Sequence, residues 1–237
     1  MRINLMCYCL KKHRLWLVAL VVLVATCLSG CGQSFSVKQL GKGDIDFVAD
    51  NHRNEVENQL YELMVKLYKR NPRELHKQLE PSIDAQKARL QKSIVAGAPL
   101  IIDGIEGVEL LRQAFDRNYT GDRVFTLVGG MLSMVHQSYG YHTEFFLFDK
   151  LDQQKLYDSA RNIEIVSWRL RTETDNDGQL LLESTVLTGA DTNLSFERLI
   201  ARLVSMQDMM ARIAADVNRR TINGVAHGVA RAVFIPL

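Results

Sequence analysis

Apolar residues recur at helical spacing through most of residues 46–237, and this periodicity limits the chain to a mainly α-helical fold. Two stripes are long and uninterrupted, one in residues 56–68 and one in residues 196–217. Positions three, four, seven and eight residues apart share one face of an α-helix, so each stripe predicts an amphipathic helix with one buried side. The stripes consist of Val56, Leu60, Leu63, Met64, Leu67 and Tyr68, and of Phe196, Leu199, Ile200, Leu203, Val204, Met210, Ile213, Ala214 and Val217.

Shorter periodic segments predict further helices between these two stripes. The most apolar of them is expected to be the central buried helix, and Gly129-Gly130 in its middle predicts a close crossing by another helix, because each glycine otherwise costs about 1 kcal/mol. Asn176-Asp177-Gly178 favours a tight turn in a small hairpin. We therefore predict one mainly α, multi-helix domain over residues 46–237, which allows for a small β-hairpin and has an apolar end (232–237) docked on the core. The shorter helices are expected at residues 72–79, 82–95, 105–118, 120–136 and 152–168.

The first thirty-one residues have the three parts of an export signal. Residues 11–14 are basic, residues 15–28 are apolar except for Thr26, and Ser29-Gly30-Cys31 follows. A transmembrane helix needs about 20 apolar residues, whereas a shorter run suits a cleaved signal peptide. Because the basic flank stays in the cytoplasm, everything after the apolar run is expected to be exported. The alternative is an uncleaved signal anchor that ends in cysteine by chance.

The end of this segment, Leu28-Ser29-Gly30-Cys31, resembles the lipobox of bacterial lipoproteins. The resemblance covers residues 1–31 only, and the rest of the chain is not assigned to a family. It implies that residues 1–30 are removed as a type II signal peptide and that Cys31 carries a diacylglycerol thioether and an amide-linked acyl chain such as palmitate. Several acyl chains, at about 0.8 kcal/mol per buried methylene, would hold the protein on a membrane permanently.

The residues after Cys31 predict where that anchor lies. Gly32 and Gln33 follow the cysteine, and the aspartate that retains lipoproteins of the enterobacterial type in the inner membrane is missing. The resemblance therefore implies an outer-membrane anchor that faces the periplasm. Residues 31–45 contain glycine, serine and lysine and are expected to form a tether for a periplasmic domain over residues 46–237.

Charge and cysteine content exclude several classes of function. The formal charge is +2, of which residues 1–30 contribute +4, so the remaining chain carries −2 and gives no reason to expect a nucleic-acid partner. All four cysteines lie within the first thirty-one residues. After cleavage and lipidation the domain would have no disulfide, thiol nucleophile or cysteine metal site, and we expect no cofactor.

Motifs for catalysis are mostly missing. The sequence has no nucleophile elbow, zinc-protease helix, P-loop or dinucleotide fingerprint. His136, His142 and Glu144 are weak candidates for a metal or acid–base site, and the alternative is that His136 only ends a helix. Ser133, one turn earlier, is a still weaker nucleophile candidate. His52 and His76 lie among charged neighbours, so both are expected to be solvated.

An aromatic loop in residues 138–148 is the best candidate for ligand binding. Tyr139, Tyr141, Phe145 and Phe146, with Phe148, are able to line a pocket for a lipid or peptide, although packing into the core is the simpler alternative. A basic run in residues 66–77 is a second candidate surface, for anionic head groups, with a solvated helix face as its alternative. It contains Lys66, Lys69, Arg70, Arg73 and Lys77.

Together these features favour a protein that binds rather than one that catalyses. We expect a lipid-anchored envelope protein of structural, assembly or adaptor type whose partners are the membrane, through its lipid, and another envelope protein. The alternatives are a periplasmic hydrolase or metal-dependent enzyme centred on residues 133–148, and a lipid- or peptide-binding carrier that uses the aromatic loop.

Overall fold

A long helix, α1 (Asp44–Arg70), forms the first layer of the computed structural model. The apolar stripe of residues 56–68 lies on its buried side, as predicted, but the helix begins earlier than the stripe and includes the last two residues of the predicted tether. It ends at Asn71, whose side-chain amide donates to Leu67 O at 2.9 Å and whose Oδ1 accepts from the Glu183 amide at 2.8 Å. Asn71 therefore ties the end of α1 to a distant loop.

The structure describes residues 43–146, 149–185, 193–219, 222 and 233–237. The predicted signal peptide, Cys31 and most of the tether lie outside these residues. Within them the protein is mainly α-helical with one small antiparallel sheet, as predicted, and none of the described helices is long and apolar enough to span a membrane. The remaining elements are α2 (Pro72–Leu75), α3 (Ile83–Ser93), β1 (Ile101–Ile102), β2 (Ile105–Glu106), α4 (Gly107–Ala114), α5 (Arg123–Ser138), α6 (Gln153–Thr172) and α7 (Ser195–Asn218).

Helix α5 is the centre of the domain. Asp122 caps it by accepting from the Phe125 amide at 3.0 Å, and nearly all of its residues are buried. The predicted close crossing at its glycines is confirmed. A Cβ atom at Gly130 would lie 2.9 Å from Leu110 Cβ and 3.0 Å from the Leu111 amide nitrogen, so α4 crosses α5 where only glycine fits.

The two-stranded sheet forms at a different place from the predicted hairpin. Strands β1 and β2 pair in antiparallel register around Asp103-Gly104, two residues with φ of 51° and 84°. Both central residues of a type I′ turn need positive φ, and Asp-Gly is a preferred pair for it. Around Asn176-Asp177-Gly178 the chain makes only an isolated bridge between Thr174 and Leu180.

Several predicted helix boundaries and buried faces are wrong. Residues 72–79 form one helical turn and Leu79 is fully exposed, because the chain turns away after Leu75. Residues 105–106 are in a strand rather than a helix. The apolar pattern of the helix predicted at residues 152–168 places Trp168 on its buried side, whereas Trp168 is 45% exposed.

Helix α7 follows its predicted stripe. The pair Asn223-Gly224 predicts a break near these residues, which lie outside the described residues, whereas the helix already stops at Asn218, where Arg219 has φ of 52°. The predicted docking of the last residues is confirmed for residues 233–237. Phe234 is buried, and the Asn162 amide both donates to Ile235 O at 2.8 Å and accepts from Ile235 N at 2.7 Å.

Candidate binding groove

The predicted acid–base residue His136 is held as a structural histidine. It is buried at the end of α5, and its Nε2–H faces the carbonyl oxygens of Val95 (3.2 Å) and Ala98 (3.0 Å). Burial lowers the pKa of His136, so its ring is neutral. The proton on Nε2 leaves Nδ1 as the acceptor, and this buried atom has no hydrogen-bond partner. The side chain fastens the loop before β1 to α5.

The other candidates for chemistry do not assemble around His136. His142 is about half exposed, with Nδ1 3.8 Å from Asp149 Oδ2, and Glu144 is exposed. Ser133 donates to Leu100 O and accepts from the Gly107 amide, each at 2.8 Å. Among the described residues no three His, Cys, Asp or Glu side chains are grouped so that they could hold a metal ion.

A buried hydrogen-bond network connects four helices through Tyr139, one of the predicted ligand-binding residues. The Tyr139 hydroxyl is fully buried and lies 2.5 Å from His52 Nδ1 and 3.2 Å from Gln207 Oε1. Gln207 Nε2 donates to Ser159 Oγ at 2.7 Å, and His52 Nε2–H donates to Met206 O at 2.7 Å. The network joins α1, α5, α6 and α7, so the role of Tyr139 in this structure is internal.

The expectation that His52 is solvated is wrong. Its ring is buried on the side of α1 that faces α7, and burial lowers its pKa. His76, in contrast, is exposed as expected. Residues next to His52 in the sequence lie at other positions around the helix, so their charges give no information about the face on which His52 lies.

The aromatic segment after α5 is fastened to α1. Arg53 Nη2 donates to Thr143 O at 2.7 Å, and Asp50 Oδ1 accepts from the Phe145 amide at 2.8 Å. The Phe145 ring packs against the rings of Tyr139 (centroids 5.9 Å apart) and His142 (5.4 Å). These contacts fix Phe145 with its ring against the core.

Tyr141 and Phe146 are half-buried beside this cluster. Tyr141 has φ of 62° and its ring meets the edge of His136 at 5.5 Å, while the Phe146 amide donates to Asp149 Oδ2 at 2.9 Å. Phe148 lies outside the described residues. Of the four aromatic residues predicted to bind a ligand, Phe145 is the one that lines the groove described below.

This groove, of about 510 Å³, lies between the start of α1, the segment before α6 and the end of α7. Its volume is in the range of ligand sites, roughly 300–1,000 Å³. We call it the α1/α7 groove. Seven of its twelve lining residues are apolar. The buried ones form its floor, and the half-buried Ile45 and the exposed Val217 lie on its rim; the floor consists of Ala49, Phe145, Leu151, Met210 and Ala214.

The other exposed or half-buried residues on the rim of the α1/α7 groove are polar, with an acidic surplus. Asp149 and Asp152 contribute two carboxylates against the ammonium group of Lys150, a surplus of one formal negative charge, whereas Asp46 is buried and its carboxylate accepts from the Gly43 amide. The amide of Asn218 fastens the end of α7 to this rim by donating to Leu151 O at 2.7 Å. The rim is therefore held in place by hydrogen bonds and carries charge of one predominant sign.

Two carboxylates that line the groove, one buried and one exposed, lie at helix starts. Asp46 Oδ2 accepts from the Gly43 amide at 2.7 Å at the start of α1, and Asp152 Oδ1 accepts from the amides of Gln154 (2.8 Å) and Lys155 (3.2 Å) at the start of α6. Free amides at a helix start attract anions. Here some of those amides already bind carboxylates of the chain itself, so the groove does not offer them to an anionic ligand.

The basic run of residues 66–77 uses most of its charges inside the domain. Four of its five cations contact neighbouring elements, which reduces what is left for an anionic surface. The partners are Ser195 for Lys66, Glu183 for Arg70, the carbonyl groups of Leu180 and Leu181 for Arg73, and Glu74 for Lys77. No protein-family model, curated protein or solved structure matches the chain.

Proposed function

We propose that the protein is a lipid-anchored component of a bacterial envelope that binds another envelope protein and catalyses no reaction. The observation that carries the proposal is the α1/α7 groove, which combines an apolar floor with a polar rim. In the chain, Ile45 of this groove is the last residue of the predicted tether, and Asp46 directly follows it. A partner that occupies the groove would therefore be held close to the anchor.

The internal contacts of the catalytic candidates also support a binding role. His136 and Ser133 each hold two backbone groups of the segments on either side of the two-stranded sheet, which pack on α5. A general base or nucleophile has to reach a substrate with its acceptor or nucleophilic atom. In this structure Ser133 Oγ is engaged in fastening the fold, and the acceptor nitrogen of His136, Nδ1, is buried.

Lipidation is tested by substituting the predicted acylation site. Cys31→Ala is expected to abolish incorporation of labelled fatty acid and to leave an uncleaved precursor, because the thiol is the acyl acceptor that the lipobox implies. Cys27→Ala is the matched control, since this cysteine precedes the predicted cleavage site, and it should still be labelled. Labelling that persists in Cys31→Ala would overturn the proposed anchor. Density-gradient separation of the labelled membranes tests the outer-membrane location.

Partner binding is tested with a photo-crosslinking amino acid placed in the full chain in cells. Val217, on the rim of the groove, is 61% exposed, and Leu79 is a fully exposed control outside the groove. The proposal expects a reproducible crosslink to one envelope protein from position 217 and not from position 79. Identical products at both positions, or none at position 217, would contradict it. A crosslink to lipid alone would support the carrier alternative.

A further inference from the structure

The charge and the helix capping of the α1/α7 groove together restrict what can occupy it. Its floor accepts apolar side chains, while its rim has two accessible carboxylates, those of Asp149 and Asp152, and one ammonium group. The helix-start amides that Asp46 and Asp152 occupy are unavailable to phosphate or carboxylate ligands. An occupant with an anionic head group would be repelled by the rim and would lack these donors.

We propose that the α1/α7 groove binds a segment of a partner protein in which one or two large apolar side chains are flanked by lysine or arginine. This inference rests on the proposed function, because it names the chemistry of the partner. The apolar side chains enter beside Phe145 and Met210, and the cationic side chains face the aspartates of the rim. Lys150 is the one rim cation among the lining residues. It repels the partner's cationic side chains from its own part of the rim.

The floor of the groove is suited to anchor side chains because it is already rigid. Phe145 is fixed by Asp50 and by the Tyr139 ring, and Met210 lies one turn beyond Gln207, which belongs to the buried network. Apolar anchors that fill rigid pockets dominate binding energy, while charges on the rim determine specificity and association rate. The basic flanks of the partner are therefore expected to determine which partner binds, while its apolar side chains supply most of the binding energy.

The binding experiment uses the full-length lipidated chain in nanodiscs of phosphatidylcholine, which has no net charge. The probe is a short dye-labelled peptide in which Leu-Phe is flanked by lysines, and its counterpart has glutamates in place of the lysines. Fluorescence anisotropy, with empty nanodiscs subtracted, is expected to show binding of the lysine peptide at least about tenfold tighter than of the glutamate peptide. Equal binding of the two peptides would overturn the proposal.

Two substitutions at one exposed position separate charge from apolar contact. Val217→Arg and Val217→Glu remove the same apolar contact, and neither should affect folding because the side chain is mostly in solvent. Val217→Arg is expected to weaken the lysine peptide about fivefold relative to Val217→Glu, because it reverses one charge on the rim. Leu79→Arg, outside the groove, should bind like the unsubstituted chain. Equal affinities of the two Val217 variants would contradict the charge rule.

The outcomes distinguish this inference from the proposed function. A specific envelope partner crosslinked at position 217, together with equal binding of both peptides, would leave the adaptor function standing and remove the cationic partner. No specific crosslink would remove the adaptor function itself. A crosslink between two copies of the chain would replace the partner with a second copy. Where a partner is captured, the crosslinked peptide should contain a large apolar residue flanked by lysine or arginine.

Discussion

The Tyr139 hydroxyl lies 2.5 Å from Nδ1 of His52, although 87 residues separate the two in the chain. Because His52 Nε2 carries the proton that binds Met206 O, Nδ1 of the neutral ring is an acceptor for this hydroxyl. Gln207 Oε1 competes for the same proton from 3.2 Å. The Tyr139 hydroxyl is therefore the donor for two buried acceptors, His52 Nδ1 on α1 and Gln207 Oε1 on α7.

Removing this hydroxyl is expected to destabilise the domain. Tyr139→Phe leaves His52 Nδ1 and Gln207 Oε1 without a donor, which costs about 1–3 kcal/mol for buried groups that lose their partner. Urea unfolding followed by circular dichroism measures the loss. Tyr119→Phe is the control, because its hydroxyl bonds Thr126 at a half-exposed site and its loss should cost less. Equal losses in the two variants would show that the network contributes nothing beyond an ordinary hydrogen bond.

Stability is expected to fall on mild acidification because of two buried histidines. Burial lowers the pKa of His52 and of His136 below the ordinary value near 6.5, so the unfolded chain takes up protons first. The stability that the two neutral histidines contribute is complete above a pH of about 6.5 and is lost as the pH falls below it. Each histidine can then cost up to about 1.4 kcal/mol at one pH unit below 6.5.

Single variants separate the effect of the buried histidines on stability from that of the buried carboxylates. Burial raises the pKa values of Asp122 and Asp158, which therefore add stability as the pH falls and oppose the histidines. Comparing His136→Gln with the unsubstituted chain at pH 7.5 and 5.5 cancels this shared contribution. The variant should lose less stability between the two pH values, whereas His76→Gln, at an exposed site, should behave like the unsubstituted chain.

The two glycines of α5 are expected to respond differently to alanine. At Gly130 the new Cβ would meet Leu110 Cβ and the Leu111 backbone, and forcing them apart costs about 1–3 kcal/mol. At Gly129 the nearest atom is the end of the flexible Ile102 side chain, which can rotate, while alanine regains about 1 kcal/mol of helix propensity. Thermal unfolding should rank Gly130→Ala clearly below Gly129→Ala. The reverse order would contradict the close crossing of α4.

The end of the described chain is expected to detach when Asn162 is truncated. Asn162→Ala removes both hydrogen bonds to Ile235 and leaves two backbone groups unpaired, which costs about 1–3 kcal/mol. Hydrogen exchange should accelerate in residues 233–237 before it does in α5. Asn58→Ala, on the exposed face of α1, is the control and should leave exchange unchanged.

Periodicity predicted the helices well because it reports directly on which face of each helix is buried. The stripe of residues 56–68 and the glycines of α5 fall where the sequence placed them, and Ser82 caps the helix that was predicted to begin at residue 82. The sheet was missed although Asp103-Gly104 between isoleucines is a strong hairpin signal. A run of apolar residues suits a strand and a helix equally, and here the helical interpretation was extended too far towards the N-terminus.

The binding groove was less predictable than the fold. The aromatic loop predicted ligand binding for Phe145, which lines the groove, and equally for Tyr139, which lies in the core. The position of Tyr139 depends on partners far away in the chain. His52 and Gln207 gave no local signal, because their partners lie on other helices. The rim joins residues near 46, 150 and 218, and only the packing of α1 against α7 brings them together.

That packing makes the groove an indicator of completed folding. His52 on α1 meets Met206 on α7 across 154 residues, and the floor and rim combine residues from both helices with the segment between them. Contacts of such long sequence separation form late, after many shorter loops have closed. A chain in which α7 has not yet docked offers a partner neither the floor nor the rim. Whatever binds this groove would discriminate between a finished domain and an unfinished one.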